Sequence, residues 1–418
     1  MLEISPKYGI STIVNHYQEG DNAHHAHISP IFQTSTFSFP DVKTGAAIFA
    51  GEQPGYIYSR AGNPNVDQLA KKYAYLEGLD LLRAHPEADP DTLVAGRVMS
   101  SGMAAISSAV MGKVKAGDKV IVQRELYGNA YSFFSKVAPR IGIEVIWIDS
   151  MSTDDWAASF AQHPDAVLAY VETPANPTLS VVDLAKVAEI AHTYSAWAMV
   201  DNTFATPYHQ RPLTLGCDIV VHSTTKYLSG HGVIIGGAVV SRHVDDYMNG
   251  ADDGVGFMNR VLGPVVSPFD AWLANLGLKT FEIRMQRHAE SAMTIARWLI
   301  EHPQIDHVYY PGLETHPGHE VAKKQMINGF GGMISFELKG GFDAGVTVMN
   351  HVQIATLAVS LGNVDTLIEH PASMTHAGVP PEERLKVGIT DGLVRLSVGI
   401  ENVEDLISDL DQALAAIQ

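Results

Sequence analysis

The sequence predicts an α/β fold: a mostly parallel sheet with helices on both faces, followed by a second domain of α+β type. Three observations predict it. From about residue 97 to residue 221, short apolar runs of strand length alternate with amphipathic helical patterns, which is how parallel βαβ units read. Polar residues stand directly behind those runs, where open sheets carry their ligand crevice. The chain of 418 residues exceeds the usual size of one core, so two domains are the default.

Taken in order, residues 1 to about 60 show little periodicity and many turn formers, among them Pro30, Pro40, Pro54 and Gly55. A stretch that cannot bury a face of its own packs on another domain or another subunit. Within it Tyr58 and Arg60 alternate in strand register, which suits an anion and equally suits a solvated edge strand. Val66, Leu69, Tyr73 and Leu76 recur at helical spacing, and Gly78 closes that helix. Residues 79–97, with Pro86, Pro90 and several acids, read as an inserted surface loop. Residues 97–99 then form a strand that turns through Ser101, Gly102 and Met103 into a helix of small residues running to Lys113. A helix start with free N–H groups and no bulk in front of it can hold an anion, although a tightly packed strand-to-helix turn needs the same residues. The motif is neither a Walker loop nor a G-x-G-x-x-G turn, which argues against a nicotinamide-dependent dehydrogenase.

Further strands are predicted at residues 119–123, 144–148, 166–171, 196–200 and 218–221, with helices at 127–141 and 182–194. The polar residues just past strand ends are Ser101, Glu172, Asn176, Asp201, Asn202, Thr203 and Ser223. One long helical pattern over 268–302 leads into the second domain, with strands at 332–338 and 393–400 and helices at 346–352 and 403–417.

Composition excludes several classes of function. The net charge of −18 is spread along the chain, so nucleic acid is not an expected partner. A single cysteine, Cys217, rules out an intramolecular disulfide and leaves no thiolate cluster for zinc. There are 19 histidines, densest at His24, His25 and His27, but no carboxylate at helical spacing completes a metal site there. The first 21 residues carry no apolar signal core and no run approaches membrane-spanning length. The expected setting is a soluble, cytoplasmic protein without a metal.

The stretch DIVVHSTTKYLSGHGVIIGGAVVS, residues 218–241, places Lys226 behind an apolar run and the hydroxyls of Ser223, Thr224 and Thr225, ahead of a glycine-rich segment. By position alone Lys226 is a surface lysine; a partly desolvated amine beside an anion site is instead a covalent catalyst. Asp201 ends an apolar strand, where a carboxylate either caps the following turn or meets a cationic partner. Arg395 interrupts another apolar strand and needs an anion, from a buried salt bridge or from a ligand. Together the amine, the acid, the hydroxyls, the glycine-bearing helix start and the arginine match the needs of pyridoxal 5'-phosphate.

The segments YIYSRAGNPN, SSGMAAI, ETPANPTLSVVDL, VDNTFATPYHQRPLTLGCDIVVHSTTKYLSGHG, AVSLGNVDTLIEHPASMTHA and GLVRLSVGIE resemble those of the pyridoxal-phosphate family that includes cystathionine γ-synthase, cystathionine γ-lyase, methionine γ-lyase and O-acylhomoserine sulfhydrylase. The resemblance runs from about residue 10 to the end, apart from residues 79–97. It implies an aspartate-aminotransferase-like fold with a mostly parallel seven-stranded sheet, and a homotetramer built from two active dimers. Residues 1–62 would be an arm reaching the neighbouring subunit, 63–265 the large cofactor domain and 266–418 the C-terminal domain. Lys226 would be the Schiff-base lysine, Asp201 the partner of the ring nitrogen and Tyr127 the ring-stacking residue active in acid–base chemistry. Gly102, Met103, Ser223 and Thr225 would hold the phosphate with Tyr58 and Arg60 of the neighbouring subunit, and Thr203 would also bind the cofactor. Arg395, Ser360 and Asn176 would bind the carboxylate of a small amino-acid substrate.

Two departures bear on that substrate. Val359 stands where cystathionine-handling members carry a glutamate, which argues for a small uncharged leaving group or nucleophile. Asn129 stands where many methionine γ-lyases carry a cysteine. The expected reaction is γ-elimination from L-methionine or homocysteine to 2-oxobutanoate, ammonia and a thiol. The alternative is γ-replacement by an O-acylhomoserine sulfhydrylase, with cystathionine chemistry or a non-catalytic cofactor-binding protein behind both.

Overall fold

The computed structural model describes residues 5–20, 22–149, 151–375, 377, 381–385 and 388–417, with only the backbone of Glu383. His376, in the EHPASMTHA motif, lies outside the described residues. The chain divides into two compact units, one of residues 1–113, 218–225 and 233–279, the other of residues 114–217, 226–232 and 280–418.

The larger sheet contains β1 (Ala95–Met99), β2 (Lys119–Gln123), β3 (Glu144–Ile148), β4 (Ala166–Glu172), β5 (Trp197–Asp201), β6 (Ile219–His222) and β7 (Gly237–Ser241), in the order β1-β7-β6-β5-β4-β2-β3. In the second unit β3, β2, β4 and β5 are parallel. Each strand is a near-continuous apolar run, as a sheet covered on both faces requires. In the first unit β7 runs antiparallel to both β1 and β6. The sequence reading missed β7, because its glycines suggested an anion-binding loop rather than a strand.

The first unit is organised around the helix Pro64–Glu77. Asn63 caps it, its side chain accepting from Asn65 N–H, and Gly78 closes it. The predicted surface loop over 79–97 is mostly ordered structure: Leu79–Ala84 is helical, with Leu79 and Leu82 buried, and β1 begins at Ala95. Two leucines three residues apart supply the buried face that the prolines and acids around them obscured. Residues 1–60 also divide in two. Helix Ile10–His16 buries Ile10, Ile13 and Val14 within its own unit. Residues 31–60 are largely exposed, with helix Val42–Phe49 and one bridge between Thr36 and Tyr58.

The helix expected over 268–302 is two helices, Pro268–Leu278 and Phe281–Glu301. The break comes from a tertiary contact. Asn15 Nδ2 donates to the carbonyl of Lys279 at 3.0 Å, and Lys279 Nζ donates back to the carbonyl of Asn15 at 3.3 Å. The helix expected over 127–141 is an α-helical segment Gly128–Ser132, a π turn Phe133–Val137 and a 3₁₀ turn Ala138–Ile141. Pro139, which has no N–H to donate, ends the regular ladder there. Helix Thr153–Gln162 was not anticipated; it buries only Trp156 and Phe160.

The second unit also contains β8 (Ile305–Tyr309), β9 (Met333–Leu338), β10 (Thr356–Leu357), β11 (Leu367–Glu369) and β12 (Leu393–Ser397), in a sheet of order β10-β11-β12-β9-β8. Ile334, Phe336, Val394 and Leu396 pack there against Ile295 and Leu299, Val348, and Leu406 and Leu410 of the neighbouring helices. Among the described residues, no helix is long and apolar enough to cross a membrane.

Candidate active site

Strand ends set the site in the second unit. β4 ends at Glu172 and β5 at Asp201, and the two acids are direct neighbours in the parallel register. Asp201 is buried, and its Oδ1 accepts from the N–H of Thr203 at 3.0 Å. It therefore does cap the turn behind its strand. Glu172 Oε2 accepts from the N–H of Tyr127 and Oε1 from the N–H of Asn176, both at 2.9 Å. Burial and the neighbouring Asp201 push the Glu172 carboxyl up, against those two N–H groups.

Lys226 Nζ donates to Ser360 Oγ at 2.6 Å. Its pKa is brought down to about 8, first by burial and then by Arg395, with Glu369 acting the other way. Ser360 is held at φ 97°, a left-handed conformation unusual for a residue with a side chain. Next to it, Gly362 at φ +77° lies so close to the chain after Lys226 that a Cβ would stand 2.5 Å from Tyr227 N. The segment 360–362 is thereby pressed against the lysine.

Arg395, in the middle of β12, is 7% exposed. Nη1 donates to Asn176 Oδ1 at 2.7 Å, Nη2 donates to the Ser360 carbonyl at 2.8 Å, and Glu369 Oε1 lies 3.2 Å from Nη1. Glu369 is the register partner of Arg395 on β11. Both readings of Arg395 thus coexist: it is in a buried salt bridge, and it faces the amide and carbonyl of two predicted substrate residues. One relay runs from Lys226 through Ser360, Arg395, Asn176 and Glu172 to Tyr127. Asn129 Nδ2 continues it, donating to Tyr127 Oη at 3.0 Å. Tyr127 is 45% exposed and Val359 56%.

The first unit supplies the remaining predicted residues. Gly102 opens the helix Gly102–Lys113, whose first N–H groups have no intrahelical acceptor. A Cβ on Gly102 would come within 2.8 Å of Ser223 Cβ, so glycine is what lets the helix start approach the serine. Met103 follows in the first turn. Thr225 Oγ1 donates to the carbonyl of Gly236 at 3.2 Å and accepts from its N–H at 3.0 Å, fixing the turn that precedes Lys226. Tyr58 is exposed; the Arg60 guanidinium lies 5.6 Å from its ring centroid and donates to the carbonyl of Arg260.

Sequence reasoning named Glu172 only as a strand-end residue and gave Glu369 no role. The signal for Glu369 was its place in the EHPASM segment, beside nothing that identified its partner.

In the second unit a buried lysine amine with a lowered pKa and a buried strand-end carboxylate, and in the first a glycine-opened helix, are the features of a lysine-based cofactor enzyme of mixed α/β architecture. The sequence profile of the Cys/Met metabolism PLP-dependent enzymes matches residues 11–415. An L-methionine γ-lyase of Fusobacterium nucleatum subsp. nucleatum is 49% identical over 414 residues, 98% of this chain and 99% of that protein. An O-succinylhomoserine sulfhydrylase of Pseudomonas aeruginosa is 41% identical, over 94% of this chain and 91% of that one. A solved structure of cystathionine γ-synthase from Xanthomonas oryzae pv. oryzae, in complex with cystathionine, superposes with a TM-score of 0.87 at 38% identity, covering 98% of each chain. The chain belongs to the Cys/Met metabolism family of pyridoxal-phosphate-dependent enzymes.

Proposed function

We propose that the protein is a γ-eliminating lyase acting on a sulfur amino acid, converting L-methionine and water to 2-oxobutanoate, ammonia and methanethiol. The observation that carries this is the relay that joins the Lys226 amine to the Arg395 guanidinium through Ser360. An amine that takes a proton from Cα must sit beside the group that holds the α-carboxylate, and Ser360 bonds both. The similarity to methionine γ-lyase over nearly the whole chain supports the same reading.

The residues fit pyridoxal phosphate. Lys226 would hold its aldehyde and Asp201 its ring nitrogen, with Thr203 beside the ring and Tyr127 against its face. Gly102, Met103, Ser223 and Thr225 would hold the phosphate. When bound, the cofactor supplies an electron sink for the charge left at Cα. Lys226 would then move the protons at Cα and Cβ, and Tyr127 would protonate the departing sulfur. Arg395 and Asn176 would fix the carboxylate. Val359, apolar and exposed, offers no counter-charge to a distal ammonium, which favours a small neutral leaving group. Asn129 favours the second reading, γ-replacement, because it puts an amide donor on the phenol oxygen where the resemblance leads one to expect a cysteine.

Purified holoenzyme given L-methionine is expected to release 2-oxobutanoate and methanethiol. Inertness with methionine, together with homocysteine formation from O-acetylhomoserine and sulfide, would replace the first reading by the second.

We also propose that the enzyme is a cytoplasmic homotetramer of paired dimers, in which Tyr58 and Arg60 complete the phosphate site of a neighbouring subunit. The domains would be an arm over 1–62, a cofactor domain over 63–265 and a C-terminal domain over 266–418. The support is the exposed run 31–60, which leaves Ile31, Phe32, Phe49 and Tyr58 uncovered. Arg60→Ala and Lys226→Ala are each expected to be nearly inactive, and subunits of the two, mixed and reassembled, to regain activity that neither has alone. Mixed subunits that stay inactive would show that each chain builds its own site.

A further inference from the structure

Glu172 has no role in the reaction described above, yet its carboxylate holds two different loops of the site. Oε2 takes the N–H of Tyr127, and Oε1 takes the N–H of Asn176. Its own backbone is clamped by Gln123, whose Oε1 accepts from the Glu172 N–H and whose Nε2 donates to the Glu172 carbonyl, each at 3.1 Å. The side chain is therefore a fixed support. It is also costly: Glu172 is 4% exposed, and the charged groups that push on it are the acids Asp201 and Glu125. A buried carboxylate set among other carboxylates is a liability unless its oxygens do something that a neutral residue cannot. Here they accept from two backbone N–H groups on separate loops. Glutamine has one acceptor oxygen and would turn an N–H toward an N–H on the other side.

We propose that Glu172 is a positioning residue that locks Tyr127 and Asn176 into one rigid piece, so that the ring held against the cofactor and the amide that orients Arg395 keep a fixed relation. This rests on the roles assigned above to Tyr127, Asn176 and Arg395. Because Asp201 is the register neighbour of Glu172, the lock stands next to the acid assigned to the ring nitrogen.

The test uses wild-type holoenzyme, Glu172→Gln and Glu172→Asp, at matched cofactor content. Two readouts report the two arms separately. Visible circular dichroism of the bound cofactor reports its surroundings beside Tyr127. The dissociation constant of glycine, a small amino acid with no γ leaving group, followed by the change in cofactor absorbance, reports the Asn176–Arg395 arm. Glu172→Gln must give up one of its two contacts, so at least one readout is expected to move: glycine binding weaker by about tenfold, or a dichroic band roughly halved. Glu172→Asp draws both oxygens back and is expected to move both. Should both variants fall in thermal midpoint alone, with glycine affinity within about twofold of wild type and the dichroic band unchanged in amplitude, Glu172 is a structural residue and the proposal is overturned. If Glu172→Gln does not fold, Glu172→Asp decides by itself. A wild-type protein that shows a cofactor band but no response to glycine removes the assigned roles of Asn176 and Arg395, and the lock with them.

Discussion

Lys226→Ala is expected to lower turnover by about 10⁴-fold or more, the upper end of what a positioned general base contributes, and to abolish the visible absorbance band of the cofactor-loaded protein. Both losses follow from one amine. Lys226 is the group assigned to hold the cofactor's aldehyde and to take up the substrate's α proton, and among the described residues no other lysine belongs to its hydrogen-bonded string through Ser360 and Arg395. Far-ultraviolet circular dichroism separates these losses from a general loss of fold, because a folded variant that merely binds the cofactor without a covalent link keeps the wild-type spectrum there while losing the band of the lysine-linked form. Lys226→Arg serves as the charge-preserving control. It is expected to fail equally, since a guanidinium stays protonated and attacks no carbonyl at accessible pH. A pH dependence follows as well. Burial and Arg395 hold the amine at about 8, so it is mostly charged at pH 7 and mostly neutral above that value. The rate at which pyridoxal phosphate reattaches to the apoenzyme should therefore climb between pH 7 and pH 9, and a flat profile would count against the depressed amine.

That lysine was legible in the sequence because its surroundings were unusual for its type: hydroxyls before it, glycines after it and an apolar strand leading in. Asp201 and Arg395 were legible for the same reason, as charges placed where charge is expensive. Their partners were not. Glu369 meets Arg395 only because β11 and β12 pair in one particular register, and no local pattern around residue 369 states that register. Glu172 stood out as a strand-end acid, but its function as an acceptor for Tyr127 and Asn176 depends on where two separate loops return. The fold shows the same division. Apolar runs gave β2 to β6 nearly to the residue, whereas the break between Pro268–Leu278 and Phe281–Glu301 depends on Asn15, more than 260 residues away in sequence. Strand β7 was hidden by glycines whose need is tertiary.

Arg395→Met is expected to raise KM for the amino acid by about 10²-fold, with a smaller fall in kcat, because the guanidinium proposed to hold the α-carboxylate is gone. It also strands Glu369, whose Oε1 loses its cation while Oε2 has no hydrogen-bond partner among the described residues. Breaking a buried pair by removing one member costs about 3–5 kcal/mol, so the single variant confounds lost binding with lost stability. The second mutation resolves this. Burial already holds the Glu369 carboxyl above the usual range even with Arg395 and Lys226 pulling it down; without Arg395 it rises further. A carboxyl raised in the folded state binds its proton more tightly there than in the unfolded chain, so stability falls as pH rises through the folded pKa. Arg395→Met should accordingly be nearest to wild type in stability in acid, below the ordinary glutamate pKa, and weakest once the pH has passed the raised pKa of Glu369 in the folded protein. Adding Glu369→Gln should remove that pH dependence and recover most of the lost stability, while KM stays high. Recovery of KM together with stability would mean that Arg395 serves the fold alone. The same pair bears on Lys226: without the guanidinium the amine is no longer held down from that side, so cofactor reattachment in Arg395→Met should shift to higher pH than in wild type.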